Sequence, residues 1–210
     1  MKKKLISIVI SAFNEEGNVD QLYHELDKVT RSLTKIEFEF LFVNDGSTDK
    51  TYEKCLKLQE KDNRIKVIQL KRNFGHEIAM TAGMDYAKGD AVIFMDADLQ
   101  HPPKYIPEMI QLWQEGKEIV LTKRIDNQDT SAFYKFCAKT FYYILNKVSD
   151  TKIMESAPDF RLLDRKYVDF LKGFNEQDRL FRGLLRWIMP NNNVAIIDFI
   201  SPPRFSGKSK

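Results

Sequence analysis

The stretch Ala91–Pro103, AVIFMDADLQHPP, decides the fold and carries the first indication of chemistry. Its apolar run, 91–95, ends abruptly in two aspartates one residue apart, Asp96 and Asp98. Charge at the end of a buried strand is costly unless a partner neutralises it. A divalent cation carrying a diphosphate would do so, because Mg²⁺ and Mn²⁺ prefer carboxylate and phosphate oxygens. The alternative is a solvated turn, since D-x-D is a very common tripeptide.

The rest of the first half alternates apolar strands with amphipathic helices. Strands are predicted over 5–12, 38–43, 65–70, 91–95 and 118–122. Helices are predicted over 19–33, 48–59, 77–87 and 105–114. This order predicts an α/β fold, a Rossmann-like and mostly parallel sheet with helices on both faces.

Three of the predicted strands end in polar residues, at 14–16, 44–47 and 96–98. In parallel sheets ligands bind beyond the carboxyl ends of the strands, so these residues should line one edge. A single polar end can be a simple helix cap, as Ser47 or Thr48 would be for the second helix, but three together favour a nucleotide site. No glycine-rich dinucleotide or P-loop motif is present, so the phosphates must be held by metal and basic side chains.

Composition excludes some classes of protein. The 210 residues are 43% hydrophobic and 30% charged, as in a globular domain, and the net charge of +3 is too small to indicate nucleic acid. From Leu180 onward Asp198 is the only acidic residue among several basic ones, which predicts an anionic partner such as phosphate or a lipid headgroup. Cys55 and Cys137 lack metal or redox spacing and are predicted to be reduced.

The pattern changes after Arg124. A polar loop is predicted over 125–131, followed by an aromatic and lysine-rich helix over 132–148. That helix either covers the sheet or lies at a membrane surface. The remaining elements are strands at 159–163 and 194–200 and helices at 166–171 and 178–187. No stretch approaches the roughly 18 apolar residues that a membrane span needs.

Seven motifs, in order, resemble those of family 2 glycosyltransferases of the GT-A fold. The first four are S-A-F-N-E-E (11–16), V-N-D-G-S-T-D (43–49), R-N-F-G (72–75) and D-A-D-L-Q (96–100). The last three are D-F-R-L-L-D-R (159–165), R-x-x-R-G-L-x-x-W (179–187) and R-x-x-G-x-S-K (204–210). The latter resemble the polyprenyl-phosphate branch, which includes dolichol-phosphate mannose synthases and undecaprenyl-phosphate glucosyltransferases. R-N-F-G and the glutamine after D-A-D-L are closer to the bacterial glucosyltransferases.

The resemblance implies a metal-dependent, inverting transfer of a sugar from a nucleoside diphosphate sugar to a polyprenyl phosphate such as undecaprenyl phosphate. UDP-glucose is the favoured donor, with UDP-N-acetylglucosamine, a UDP-pentose and GDP-mannose behind it, and Mg²⁺ or Mn²⁺ is the expected cofactor. A non-lipid glycan acceptor in cell-envelope polysaccharide synthesis is the alternative. A nucleotidyltransferase is less favoured, because the loop after the first strand is acidic, and so is a non-catalytic nucleotide-sugar-binding module.

The donor-side residues follow from the same motifs. Asp98 is the expected first metal ligand, and Asp96 supports the metal, the ribose or both. The resemblance implies that Asp45 contacts the base. R-N-F-G, with Arg72, is expected to turn the chain close to the nucleotide, and the alternative is that Gly75 is a plain helix-start glycine. The resemblance also places three residues around the nucleoside: Ala12, Phe13 and Glu15. Glu15 could instead be a helix-dipole partner at a helix start.

The acceptor side should be rich in cations. A phosphate monoester has a second pKa near ~6, so it is largely dianionic at neutral pH and needs cations more than a general base. The expected phosphate-binding residues are Arg124, Arg179, Arg182, Arg204 and Lys208. Asp159 is the expected catalytic carboxylate, acting as a base or orienting Arg161 or a sugar hydroxyl. Its alternative is a structural salt bridge with Arg161 or Arg165. His76 and His101 lack the spacing of a zinc site.

We expect one GT-A catalytic domain over 1–210, with a nucleotide-binding part at about 1–123 and an acceptor-binding part at about 124–210. Many bacterial relatives continue past S-K into two transmembrane helices. The chain is therefore expected to be either a soluble member or, preferentially, a catalytic domain cut from a longer protein and itself soluble. It should act at the cytoplasmic face of the cell membrane, contacting the membrane surface but no nucleic acid. A homo-oligomer is left open.

Overall fold

The computed structural model describes residues 3–125, 159–173 and 193–202. Seven strands and five α-helices are found there. The strands are β1 (Lys4–Ala12), β2 (Ile36–Asn44), β3 (Ile65–Gln69), β4 (Ala91–Asp96), β5 (Ile119–Arg124), β6 (Arg161–Asp164) and β7 (Val194–Phe199). The helices are α1 (Val19–Ser32), α2 (Thr51–Lys61), α3 (His76–Tyr86), α4 (Ile106–Gln114, after a 3₁₀ turn at Pro103–Tyr105) and α5 (Arg165–Lys172).

All seven strands form one sheet in the order β3-β2-β1-β4-β6-β5-β7. Every pairing is parallel except the two made by β6, which runs antiparallel to both β4 and β5. The predicted mostly parallel sheet is therefore confirmed. The chain builds β2 and β3 on one side of β1 and then places β4 on the other side, so the topology switches between β1 and β4.

Helices cover both faces of the sheet, as predicted. On one face α1, α2 and α4 pack on alternate β1 residues such as Ile6, Ile8 and Ile10. On the other, α3 and α5 pack on residues of opposite parity, including Val9. Because both faces are buried, the central strands read as continuous apolar runs rather than as alternating patterns. No helix among the described residues is long and apolar enough to cross a bilayer.

Candidate active site

A cavity of about 380 Å³ lies beyond the carboxyl ends of β1, β2 and β4. This is the switch point of the sheet, where ligands bind in open α/β folds. The expectation that the three polar strand ends meet at one edge is confirmed. The lining residues are Ser11, Ala12, Phe13, Asn14, Glu15, Asp45, His76, Ala79, Asp96, Ala97 and Asp98.

The loops after β1 and β2 are fastened together by polar contacts. The Asn14 N–H donates to Ser47 Oγ at 2.9 Å, and Asn14 Oδ1 accepts the Thr48 N–H at 2.8 Å. Asp49 accepts the Glu16 N–H at 3.1 Å and the Thr51 N–H at 2.9 Å. Ser47 and Thr48 therefore connect the two loops through Asn14. The prediction that one of them caps α2 is wrong, because that helix begins only at Thr51.

Two described residues other than glycine have positive φ, Asn14 (56°) and Leu99 (66°), and both flank the cavity. Asparagine tolerates this conformation, but leucine does so at a cost. Leu99 turns the chain so that the Gln100 N–H donates to Asp98 Oδ1 at 3.0 Å. Backbone strain at a ligand-lining turn is typical of functional sites, where the surrounding structure holds it in place.

Glu15 is buried at the start of the α1 region. Its backbone N–H donates to Thr51 Oγ1 at 2.8 Å, and its carboxylate accepts from the Asn18 amide. The Glu15 carbonyl accepts from the N–H groups of Asn18 and Val19. Glu15 therefore lines the cavity and also binds the first turn of the helix. Its position is compatible with both interpretations, a contact with the nucleoside and a partner of the helix start.

Asp45 holds the R-N-F-G turn against the end of β2. Its Oδ1 accepts the Phe74 N–H at 2.8 Å, and its Oδ2 accepts the Gly75 N–H at 3.0 Å. Each carboxylate oxygen has a second lone pair, so a ligand N–H or hydroxyl can still be accepted. Asp45 is 3% exposed and lines the cavity, which fits its predicted contact with the base.

Asp96 is held by contacts with Ser11 and His101. Ser11 Oγ donates to Asp96 Oδ1 at 2.6 Å, and the backbone N–H of Asp96 donates to His101 Nδ1 at 3.0 Å. His101 is 7% exposed and stacks on Phe160 with ring centroids 5.3 Å apart. Since Nδ1 of His101 accepts this bond, His101 positions the end of β4.

His76 is the functional residue that sequence reasoning missed. Its Nδ1 lies 3.0 Å from Ser11 Oγ and 3.1 Å from Asp96 Oδ1, while its Nε2 lies 3.0 Å from Asp159 Oδ2. Burial alone would lower the pKa of His76, but the carboxylates of Asp159 and Asp96 outweigh it and raise the pKa above its usual range. The one sequence feature that could have identified His76 as a site residue is its position directly after the R-N-F-G motif.

Arg161 begins β6 and Asp159 precedes it by two residues; they are 2% and 5% exposed. Arg161 Nη2 is 3.6 Å from Asp159 Oδ1, and the guanidinium lies 5.7 Å from the centre of the Phe94 ring. Neither residue is among those lining the cavity, but Asp159 contacts His76, which is. The salt bridge and a catalytic role for Asp159 are thus compatible with the same geometry.

The remaining predicted site residues are placed differently. Arg72 is exposed, with its guanidinium 4.9 Å from the Phe74 ring centre, and is not among the cavity-lining residues. Arg124 ends β5 at the same sheet edge as the cavity and is exposed. The other four predicted phosphate-binding residues, and the aromatic helix over 132–148, lie outside the described residues. Those residues are Arg179, Arg182, Arg204 and Lys208.

Within the described ranges no three acidic, histidine or cysteine side chains come together as a ready-made metal cage. Asp98 lines the cavity at the strained Leu99 turn, and Asp96 is its neighbour. One or two carboxylates are what Mg²⁺ and Mn²⁺ commonly take from a protein when phosphate oxygens complete the coordination. The donor set therefore fits a cation that arrives with a diphosphate.

Comparison with known proteins agrees with this geometry. The sequence profile of glycosyl transferase family 2 matches residues 7–171. An uncharacterized glycosyltransferase of Synechocystis is 42% identical over 98% of this chain and 64% of that protein. The bactoprenol glucosyl transferase of Shigella phage SfV is 37% identical over 98% of this chain and 66% of that protein. The chain thus spans about two thirds or slightly less of these relatives.

A solved structure has the same fold. Glucosyl-3-phosphoglycerate synthase of Mycobacterium tuberculosis, crystallised with Mn²⁺, UDP and phosphoglyceric acid, superposes with a TM-score of 0.60 at 16% identity. The match covers 98% of this chain and 72% of that one, which confirms the GT-A architecture. With the profile, the relatives and the fold in agreement, this chain belongs to glycosyl transferase family 2.

Proposed function

We propose that this chain is a glycosyltransferase that transfers glucose from UDP-glucose to a polyprenyl phosphate, with inversion at the anomeric carbon. The observation that carries the proposal is the cavity at the β1/β4 switch point, where Asp45 after β2 meets Asp96 and Asp98 at the end of β4. The 37% identical relative named a bactoprenol glucosyl transferase supports glucose and a polyprenyl acceptor.

The donor would bind along the strand ends. Asp45 and the loop around Phe13 and Glu15 would hold the nucleoside, since all three line the cavity. Asp98, supported by Asp96, would hold Mg²⁺ or Mn²⁺ together with the donor diphosphate. The cation would neutralise the charge that develops on the leaving diphosphate.

The acceptor would supply its own nucleophile. A phosphate oxygen attacks the anomeric carbon from the face opposite the leaving group, the carbon–oxygen bond to UDP breaks, and UDP departs with the electron pair. Because the phosphate is dianionic, no proton has to be removed first. Asp159, which approaches the cavity through His76, would orient the sugar or the attacking phosphate.

The acceptor phosphate would be bound by basic side chains. Arg124 stands at the correct edge of the sheet. Arg179, Arg182, Arg204 and Lys208 are proposed as further cations from their motifs alone. A lipid acceptor implies that the reaction takes place at a membrane surface. The cytoplasmic face is favoured, because the nucleotide-sugar donors are found in the cytoplasm.

The test uses the purified chain with radiolabelled UDP-glucose, MnCl₂ and undecaprenyl phosphate in detergent. Organic extraction and thin-layer chromatography should reveal a labelled lipid that requires the metal and vanishes with EDTA. A parallel thermal-shift screen of UDP-N-acetylglucosamine, a UDP-pentose and GDP-mannose identifies the donor, because ligand binding raises the unfolding temperature. Absence of a lipid-linked sugar with every donor would overturn the proposal.

A further inference from the structure

Asp96, the last residue of β4, and Asp159, two residues before β6, lie at the same end of two neighbouring antiparallel strands. In the β4–β6 ladder Phe94 lies opposite Arg161, so continuing the register by two residues places Asp96 opposite Asp159. Like charges directly opposite on neighbouring strands repel each other. One of these carboxylates borders the donor diphosphate in the proposed function, and the other belongs to the acceptor side.

The His76 ring lies between these two carboxylates. Its Nδ1 is 3.1 Å from Asp96 Oδ1, and its Nε2 is 3.0 Å from Asp159 Oδ2. Ser11 Oγ, 3.0 Å from the same Nδ1, fixes the plane of the ring from β1. The two ring nitrogens point in opposite directions from a rigid ring, so each lies within ion-pair distance of one carboxylate, while the hydrogen bond of Nδ1 is made with Ser11.

Arg161 competes with His76 for the Asp159 carboxylate. Arg161 Nη2 lies 3.6 Å from Asp159 Oδ1, on a guanidinium buried against Phe94. Asp159 is connected to the cavity through its contact with His76, so a carboxylate drawn towards Arg161 would lose that connection. The contact with His76 opposes that movement.

We infer that His76 is a positioning residue, which bridges Asp96 and Asp159 and holds the Asp159 carboxylate towards the sugar-transfer site. The inference rests on the proposed function for the identity of the reaction but not for the bridge itself. His76 lies at the first position of α3, directly after the Gly75 turn that Asp45 holds. The bridge therefore also links the R-N-F-G motif to both carboxylates.

The test is a double-mutant cycle of His76→Ala and Asp159→Asn on the full chain, read by kinetics and by thermal unfolding. His76→Ala should lower kcat by about 10–100-fold with at most a few-fold change in the KM for UDP-glucose, since second contacts of site ligands are worth about that much. His76→Gln, whose two N–H donors share one nitrogen and so cannot reach carboxylates on opposite sides, should fall between wild type and His76→Ala. In the Asp159→Asn background, His76→Ala should cost little more.

The control is His24→Gln, an exposed histidine on α1, which should match wild type. An unchanged kcat in His76→Ala, or fully multiplicative losses in the double variant, would overturn the inference while the proposed function stands. If wild type itself forms no lipid-linked sugar, the proposed function fails and the unfolding cycle decides the bridge. In the thermal-unfolding cycle, a departure from additivity of about 2–4 °C in the unfolding temperatures supports the His76 bridge, and additive shifts refute the bridge.

Discussion

A Cβ atom at Gly46 would lie 2.3 Å from the carbonyl carbon of Arg72, so the loop after β2 and the R-N-F-G turn touch backbone to backbone. Two segments that are separated by a helix and a strand are thereby packed together next to the cavity-lining residues Asp45 and His76. The two backbones cannot easily move apart, because Asp45, next to Gly46, binds the same turn. Gly46 also has a φ of +65°, a conformation that favours glycine.

Gly46→Ala should therefore destabilise the protein by clearly more than about 1 kcal/mol, because a methyl group meets backbone atoms and the φ is unfavourable. Chemical denaturation measures the loss. Gly116→Ala is the matched control, because its φ is +100° but no atom lies within 4 Å of the new Cβ. Equal losses in the two variants would show that the contact with Arg72 contributes nothing.

Asp45→Asn should lower the free energy of unfolding by about 1–3 kcal/mol and weaken UDP binding. An asparagine has a single acceptor oxygen, so either the Phe74 or the Gly75 N–H would face an amide donor. Thermal unfolding should show the change, at about 2–4 °C per kcal/mol for a chain of this size. Asp20→Asn, an exposed site on α1, should move the midpoint little; a comparable shift there would contradict the argument.

Asp98→Ala should weaken Mn²⁺-dependent binding of UDP by roughly 100-fold, which corresponds to about 2.7 kcal/mol. The fold should survive, since the described contact of the Asp98 carboxylate is one bond to the neighbouring Gln100 N–H. Titration calorimetry with MnCl₂ present and absent provides the measurement, with Asp169→Asn on the exposed face of α5 as control. Full metal-dependent binding in Asp98→Ala would refute the metal assignment.

Asp62 should make the protein sensitive to acid. Hydrogen bonds from Arg64 lower the pKa of Asp62 to about 2, against burial, which raises it. A lowered pKa in the folded state means stabilisation that is complete above the unfolded pKa near ~4 and is lost as pH falls towards 2. The contribution is roughly 2 kcal/mol.

Urea denaturation at a series of pH values between about 5 and 2.5 measures this contribution. The unfolding free energy of Asp62→Asn should fall less steeply over this range than that of wild type. Parallel curves for the two proteins would show that the Asp62–Arg64 pair does not carry acid sensitivity.

Cys55 should be chemically inert in the folded protein. It lies on the buried face of α2, and burial together with the nearby carboxylates of Asp20 and Asp49 raises the pKa of its thiol to about 12. In a Cys137→Ser background, a thiol-specific reagent should label the protein only after denaturation, because the thiolate is the reactive form. Stoichiometric labelling of the native variant would contradict this prediction.

The sheet and its covering helices were predictable because each depends on local patterns. Continuous apolar runs identified β1, β2 and β4, and helical spacing identified α1 and α4 to within a few residues. The polar ends of three parallel strands must share one edge of a sheet, so the cavity with Asp45, Asp96 and Asp98 followed from sequence reasoning.

Other features depended on strand order, which local periodicity does not encode. The antiparallel insertion of β6 beside β4 brings Asp159 opposite Asp96, although the two are distant in the chain. The same packing places His76 between them and leaves Arg72 exposed over Phe74. Sequence periodicity does not predict these contacts. A histidine at the start of a helix gives the same local pattern whether it caps the helix, packs in the core or contacts two carboxylates.

Local sequence patterns were sufficient to predict the fold class, the sheet edge that carries the site and the carboxylates on that edge, since these follow from which residues end each buried run. Which side chains those carboxylates contact depends instead on how the strands pair. Asp45 holds a backbone turn, Asp96 and Asp159 share His76, and Arg161 lies buried behind Asp159. The physical reason is that pairing between strands brings together residues whose separation along the chain is large and whose contact depends on the order and direction of neighbouring strands.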